Sequence, residues 1–268
     1  MITADYHLHT NFSSDSDTPM EAMVEQAIKL GLTQICFTDH MDYGFPQKYE
    51  MNFQFDVDTY CKKIEQMQNI YGKKIKILRG IELGLKPDII PQLEELLGKY
   101  SFDYIIGSSH LVDNIDPYYP EFWENKTEEE GLQKYFESII ENIHAFSGFD
   151  TYGHIDYIVR YAPNKNYDFS YKKYADILDE VLKTIISANK AIEVNTAGYK
   201  YGLGHPNPQE DIITRYFELG GKYITIGSDG HKPEHMAYDF PKVQKMLLSL
   251  GIKEYAVFEK RKVSLLPL

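Results

Sequence analysis

Short apolar runs alternate with amphipathic stretches along this chain, and most of the apolar runs end in a histidine or an acidic residue. Alternation of that kind implies parallel strands joined by right-handed helical crossovers, closed as a barrel or laid open as a doubly wound sheet. Strands are expected at residues 3–7, 34–38, 76–81, 104–107, 151–154, 191–195 and 223–227. Helices are expected at 19–30, 58–71, 88–99, 128–146, 171–189, 209–219 and 240–250. Thr18 before Pro19, with Glu21 three residues on, reads as a helix start, and Gly31, Gly220 and Gly251 read as helix ends. An open sheet collects functional groups only at its switch point, whereas a barrel brings the carboxyl ends of all its strands around one mouth. Because so many strands end in reactive side chains, an irregular α/β barrel of about seven units is the expected fold.

His7 and His9 open the series in Asp5-Tyr6-His7-Leu8-His9-Thr10. Residues i and i+2 of a strand lie on one side, so two imidazoles can grip one metal ion. The pattern recurs at Asp39-His40, Glu82, His110, His154 and Asp229-Gly230-His231, which puts six of the nine histidines at or just after strand ends. Neutral imidazole and carboxylate suit zinc, manganese or iron. His144, inside a helical pattern, and His235, in a loop, read as structural or surface residues. His205 reads as a turn residue or a lining of the pocket.

The chain has 268 residues, 43% hydrophobic and 25% charged, enough for one large domain spanning 1–268. A formal net charge of -12 argues against coating nucleic acid, which needs clustered Lys and Arg. Cys36 and Cys61 are the two cysteines and lack paired spacing, so neither a disulfide framework nor a cysteine zinc site is expected. No apolar run approaches the roughly 18 residues of a membrane span, and the first ligand-bearing strand starts too early for a signal peptide. A cytoplasmic protein without nucleic acid or membrane as partner is expected.

Several motifs carry a family resemblance: His7-Leu8-His9-Thr10, Thr38-Asp39-His40, Gly80-Ile81-Glu82, Gly107-Ser108-Ser109-His110, Gly153-His154-Ile155-Asp156 and Gly227-Ser228-Asp229-Gly230-His231. Together they resemble those of the PHP family of metal-dependent phosphoesterases. The segment 113–123 and the run Glu193-Val194-Asn195-Thr196-Ala197-Gly198 narrow the resemblance to the family's histidinol-phosphate phosphatases. The resemblance implies a distorted (β/α)7 TIM-like barrel of PHP type holding three divalent ions. One would take His7, His9, Glu82 and Asp229; a second would share Glu82 and add His110 and His154; the third would use Asp15, His40 and His231. Asp17 competes with Asp15 for that last role.

The chemistry that follows is hydrolysis of a small phosphate monoester, L-histidinol phosphate in the narrower reading, by a metal-bound hydroxide attacking in line. Three divalent ions, offset by three carboxylates and a hydroxide, leave about two positive charges to meet a phosphate dianion, so the acidic surface is no obstacle. Arg160 and Lys200 are candidate phosphate contacts, Arg160 through its planar fork. Asp39 reads either as an orienting group or as the acid that protonates the leaving oxygen; Asp229, His231 and Arg160 complete the catalytic set. A substrate with an amine and an imidazole calls for acidic and aromatic partners. Asp42 and Tyr43 after His40, with Asp113, Asp116, Tyr118, Tyr119, Glu121 and Trp123 in the insert, are the candidates. Another small phosphate ester, a nucleotide or a phosphodiester is the alternative substrate, and a non-catalytic metal scaffold the alternative class.

Overall fold

The computed structural model describes residues 1–165 and 167–268. Its strands are β1 (Ala4–Leu8), β2 (Gln34–Phe37), β3 (His40–Met41), β4 (Lys76–Gly84), β5 (Tyr104–Ser108), β6 (Thr151–Tyr152), β7 (Ala191–Asn195), β8 (Ile224–Gly227), β9 (Glu254–Glu259) and β10 (Lys262–Pro267). The helices are α1 (Met20–Lys29), α2 (Val57–Tyr71), α3 (Ile90–Lys99), α4 (Glu128–Ala145), α5 (Ala175–Ser187), α6 (Ala197–Lys200), α7 (Glu210–Glu218) and α8 (Phe240–Ser249). Strands β1, β2, β4, β5, β6, β7 and β8 run parallel in that spatial order, and β3 adds a short pairing to β4. This is the seven-stranded, nearly closed barrel that the alternation predicts.

The ring closes without a regular ladder. Between β1 and the loop after β8 there is one bridge, Leu8 with Gly230, in which the His9 amide donates to the Gly230 carbonyl at 3.0 Å. The buried Asp5 carboxylate does the rest, accepting from the Ser228 amide at 2.9 Å, from its hydroxyl at 2.5 Å and from the Ala237 amide at 3.0 Å. Strand residues on both faces are buried, as expected of parallel strands clad in helices. The helices present narrow apolar faces, such as Ile177, Leu178, Val181, Leu182 and Ile185 of α5. Helix α4 starts at a capping box in which the Thr127 hydroxyl accepts from the Glu130 amide and the Glu130 carboxylate accepts from the Thr127 amide.

Some boundaries differ from expectation. Thr18 does not cap α1: its hydroxyl donates to the His231 carbonyl at 2.8 Å, and the helix follows Pro19 directly. Gly31, Gly220 and Gly251 do end their helices, with φ of 75°, 95° and 82°. The hairpin β9–β10 was not expected. Its turn, Lys260-Arg261, has φ of 51° and 63°, a conformation that usually advertises itself with Asn or Gly and here does not. The hairpin packs under the amino ends of the strands, where the Tyr6 hydroxyl donates to the Phe258 carbonyl at 2.9 Å and the Lys260 amide to Asp103 at 3.0 Å. The opposite, carboxyl end is left open.

Candidate metal centre and substrate pocket

Glu82 sits at the middle of that open end. As the seventh residue of the long strand β4 it is fully buried, with one oxygen facing each side of the mouth. Its Oε2 lies 3.1 Å from His7 Nε2, 2.9 Å from His40 Nδ1 and 3.6 Å from His9 Nε2. Its Oε1 lies 3.2 Å from His110 Nε2 and 3.1 Å from His154 Nε2, and it accepts from the Ser108 hydroxyl at 2.7 Å. Asp229, at φ 51° in the Ser228-Asp229-Gly230 turn, brings Oδ1 to 3.5 Å from His9 Nε2 and 3.4 Å from His231 Nδ1. Asp15 brings Oδ2 to 3.1 Å from His231 Nε2 and 3.7 Å from His40 Nε2. Asp15 rather than Asp17 therefore meets the histidines.

Several of these nitrogens are buried without a hydrogen-bond partner: His9 Nε2, His40 Nδ1 and His231 Nε2. His40 Nδ1 lies close to Glu82 yet is misaligned for a hydrogen bond, the geometry expected when both aim lone pairs at a common third atom. Donor atoms gather within 4.8 Å of one another in the groups His7-His9-Glu82, Glu82-His110-His154 and His9-His40-His231. The donor set, neutral imidazole with carboxylate, fits zinc and similar divalent ions. Burial pushes His9 well below the ordinary imidazole range, aided by His231 and His40, which keeps it neutral and able to donate a lone pair. Burial works to raise Glu82 and Asp229, but the surrounding imidazoles, His7 foremost, hold both well below the usual carboxylate range.

Behind these residues lies a layer that orients them. His7 Nδ1 meets Glu193 Oε1 at 2.6 Å, which leaves Nε2 free to face Glu82. The other Glu193 oxygen accepts from the His154 amide at 3.0 Å and from Asn195 Nδ2 at 3.1 Å. His110 Nδ1 meets Asp42 Oδ2 at 2.7 Å. His9 Nδ1 lies 3.1 Å from the Ser13 hydroxyl, which donates to Asp39 at 2.9 Å. Gly227 is obligatory here, since a Cβ would come within 2.3 Å of His7 Cβ.

A cavity of about 360 Å³ opens above the cluster. Arg160, Lys200, Lys232 and His235 stand in its wall with Asp42 and Asp116, among the rings of Phe45, Phe53, Tyr157, Tyr161 and Tyr201. The Arg160 guanidinium stacks 3.9 Å from the Tyr201 ring centre, and its buried Nε and Nη2 have no acceptor. Lys200 Nζ donates to the Asp229 carbonyl at 3.3 Å. Burial lowers the pKa of Lys200, with Arg160 adding to the effect against the pull of Asp229. Burial raises Asp116 to about 6.

Other expected contacts lie elsewhere. Asp39 is fully buried beneath the mouth, where the Thr10 amide at 2.6 Å and the Thr10 and Ser13 hydroxyls occupy its oxygens, and it is absent from the cavity lining. Asp42 contacts the pocket but spends one oxygen on His110. Asp113 pairs with Lys134, and Glu121 with Lys48 at 2.6 Å and with the Tyr49 hydroxyl. Tyr119 lies flat on Tyr49, with ring centres 3.9 Å apart. Tyr118 is 61% exposed, Trp123 donates to the Pro117 carbonyl at 3.0 Å, and Tyr43 packs on the core outside the cavity lining. His205 is buried against the Pro206 carbonyl at 2.6 Å and Gln209, outside the cavity lining. Sequence reasoning missed Glu193, Lys232 and His235 as site residues. An acid in the apolar run Ala191–Asn195 was the available signal for Glu193; His235, read as a structural or surface residue, reaches the pocket because Pro233–His235 forms a turn of 3-10 helix beside His231.

A PHP domain model matches residues 5–197. Over 267 residues the chain is 31% identical to the histidinol-phosphatase of Lactococcus lactis, covering 98% of this chain and 97% of that one. Over 257 residues it is 35% identical to a probable histidinol-phosphatase of Clostridium acetobutylicum, covering 96% and 97%. The crystal structure of histidinol phosphate phosphatase from Lactococcus lactis, complexed with zinc, L-histidinol and phosphate, superposes with a TM-score of 0.89 over 98% of this chain and 99% of the other.

Proposed function

Because this chain belongs to the PHP family, in its histidinol-phosphatase branch, we propose that it hydrolyses L-histidinol phosphate to L-histidinol and phosphate as a step of histidine biosynthesis. The observation that carries the reading is Glu82, a buried carboxylate with imidazoles arrayed about both oxygens under a cavity that contains an arginine with free donors. His7, His9, Glu82 and Asp229 would hold one divalent ion, Glu82, His110 and His154 a second, and Asp15, His40 and His231 a third, with zinc the ion present in the Lactococcus lactis complex. Bound there, the ions would supply a nucleophile at neutral pH and positive charge against the phosphoryl oxygens.

The protein's own side chains do the rest. Arg160, held flat by Tyr201, offers its unpaired N–H groups as a fork for two phosphate oxygens. Lys200, tethered to the Asp229 carbonyl, offers a second cation. Glu193, Asp42 and Ser13 hold the rings of His7, His110 and His9, so little reorganisation is needed as charge develops. Residues 1–268 act as one catalytic domain in this reading, supported by a single apolar cluster running from Ile2 to Phe258. A cytoplasmic enzyme accords with two free, buried cysteines and with the absence, among the described residues, of any helix long and apolar enough to cross a membrane.

The test is steady-state phosphate release from L-histidinol phosphate and from a panel of nucleotide, sugar and aryl phosphates and a phosphodiester, with zinc measured on the same preparation. The reading expects kcat/KM for L-histidinol phosphate to exceed the others by at least about tenfold. Equal rates across the panel would remove the substrate assignment and leave a phosphoesterase.

A further inference from the structure

Arg160 and Lys200 reach the cavity on two different loops. The loop after β6 includes a turn of 3-10 helix, Tyr157–Arg160, and the loop after β7 passes through α6 to Lys200 and Tyr201. The two touch where both line the cavity, through the Arg160 guanidinium on the Tyr201 ring. A second junction lies outside the cavity lining, at Asp156, the fully buried residue that precedes the Tyr157–Arg160 turn. Its Oδ1 accepts from Asn207 Nδ2 at 2.6 Å and its Oδ2 from the Gln209 amide at 3.0 Å. Both donors belong to the loop after β7. Parting the loops would leave a buried carboxylate and a buried amide unpaired, which is costly, so the pair holds one spacing.

Asn207 is itself anchored. Its main-chain amide and carbonyl exchange hydrogen bonds with those of Asn195, each at 2.8 Å, at the end of β7. Asn195 Nδ2 in turn donates to Glu193, the carboxylate that meets His7. The segment between α6 and Asn207 folds back on itself: the Leu203 amide donates to the Gly198 carbonyl at 2.9 Å, and a Cβ on Gly198 would come within 2.3 Å of the His205 carbonyl oxygen. The loop that carries Lys200 and Tyr201 is thus fixed to β7 through Asn195 and to the Arg160 loop through Asp156.

Resting on the phosphatase reading above, we propose that Asp156 is a positioning residue that sets the spacing of these two loops, so that the Arg160 fork and the Lys200 ammonium meet the same phosphate group. It acts through Arg160 and touches no substrate. Loosening the clamp shifts Tyr201 against the guanidinium it supports, and a displacement of about 1 Å in a positioned group costs up to about 100-fold in rate.

The experiment is a double-mutant cycle on the zinc-loaded enzyme. It reads kcat/KM on the best substrate of the panel above, calorimetric affinity for inorganic phosphate, and zinc content. Asp156→Asn keeps the shape but turns one acceptor into a donor that faces another donor. Its kcat/KM is expected to fall about tenfold with Arg160 present and less than about twofold in an Arg160→Ala background, with phosphate affinity following the same pattern and zinc content unchanged. Asn207→Ala leaves the main-chain half of the clamp; it should repeat the pattern with a smaller loss, and it carries the test if Asp156→Asn does not fold. Asp103→Asn is the control for a carboxylate of purely structural role. Asp103 accepts from the Arg79 and Lys260 amides at 3.0 Å each, and its loss should lower Tm while kcat/KM stays within about twofold. Equal losses in both Arg160 backgrounds, loss of zinc from Asp156→Asn, or unchanged kcat/KM and phosphate affinity in the clamp variants would overturn the proposal. A wild type that hydrolyses no ester of the panel is a separate result: it would remove the phosphatase reading, and this proposal with it.

Discussion

The floor of the pocket and its rim are built from the same residue types to different ends. On the floor, His7, Glu82 and His154 stand on strands or at strand ends, and their acids and imidazoles converge on shared points. On the rim, Asp113, Tyr119 and Glu121 are also acidic or aromatic, yet they find partners in Lys134, Tyr49 and Lys48 and leave the cavity to Asp116. A strand fixes where its side chains point to within its twofold alternation, whereas a loop side chain points wherever its nearest partner stands. The floor is thus set by backbone geometry and the rim by tertiary pairing.

If that contrast is right, the largest effects belong to the floor. Asp229→Asn or His231→Ala should lower turnover by at least about 10³-fold, because each would cost several kcal/mol of charge stabilisation from a different one of the proposed ions, while circular dichroism shows an intact fold. Near-normal turnover in both would break the assignment. One step out, Glu193→Gln should keep the fold and weaken zinc affinity by about 10- to 100-fold, read by competition with a chelator, because His7 Nδ1 exchanges a charged acceptor for a neutral amide oxygen and its ring becomes a poorer donor to the ion. Arg160→Lys sharpens the division between floor and wall. It should leave zinc content unchanged and reduce kcat/KM by about 10- to 100-fold, since an ammonium cannot replace the fork. The smallest effect belongs to the rim: Tyr118→Ala, a change at an exposed ring, should alter kcat/KM by less than about twofold.

The same contrast explains what could be read from the amino-acid sequence. The seven parallel strands and the imidazoles and carboxylates gathered at their ends were legible because apolar alternation and strand-end position survive any detail of packing. Asp15 could not be separated from Asp17 by spacing alone, since the loop path decides it; the structure puts Asp15 3.1 Å from His231. Asp39 offered two roles in the sequence, and nothing local announced that Thr10 and Ser13 would occupy its oxygens. Thr18 has the composition of a cap but donates to the His231 carbonyl, a partner 213 positions away. The terminal hairpin carried no Gly or Asn at its turn, so local chemistry gave no notice of it.

The barrel seam is a further example of long-range pairing invisible in the sequence. Asp5 lies two residues before His7 in the same opening run, and its oxygens accept from Ser228 and Ala237 and close the ring in place of a strand ladder. It thereby braces both ends of the loop that presents Asp229 and His231.

Anomalous diffraction at the zinc edge from crystals of the loaded protein tests the central claim most directly. The account predicts three peaks at the mouth, with Glu82 between two of them and the third beside Asp15, His40 and His231. Peaks elsewhere on the surface, or a mouth without any, would contradict it.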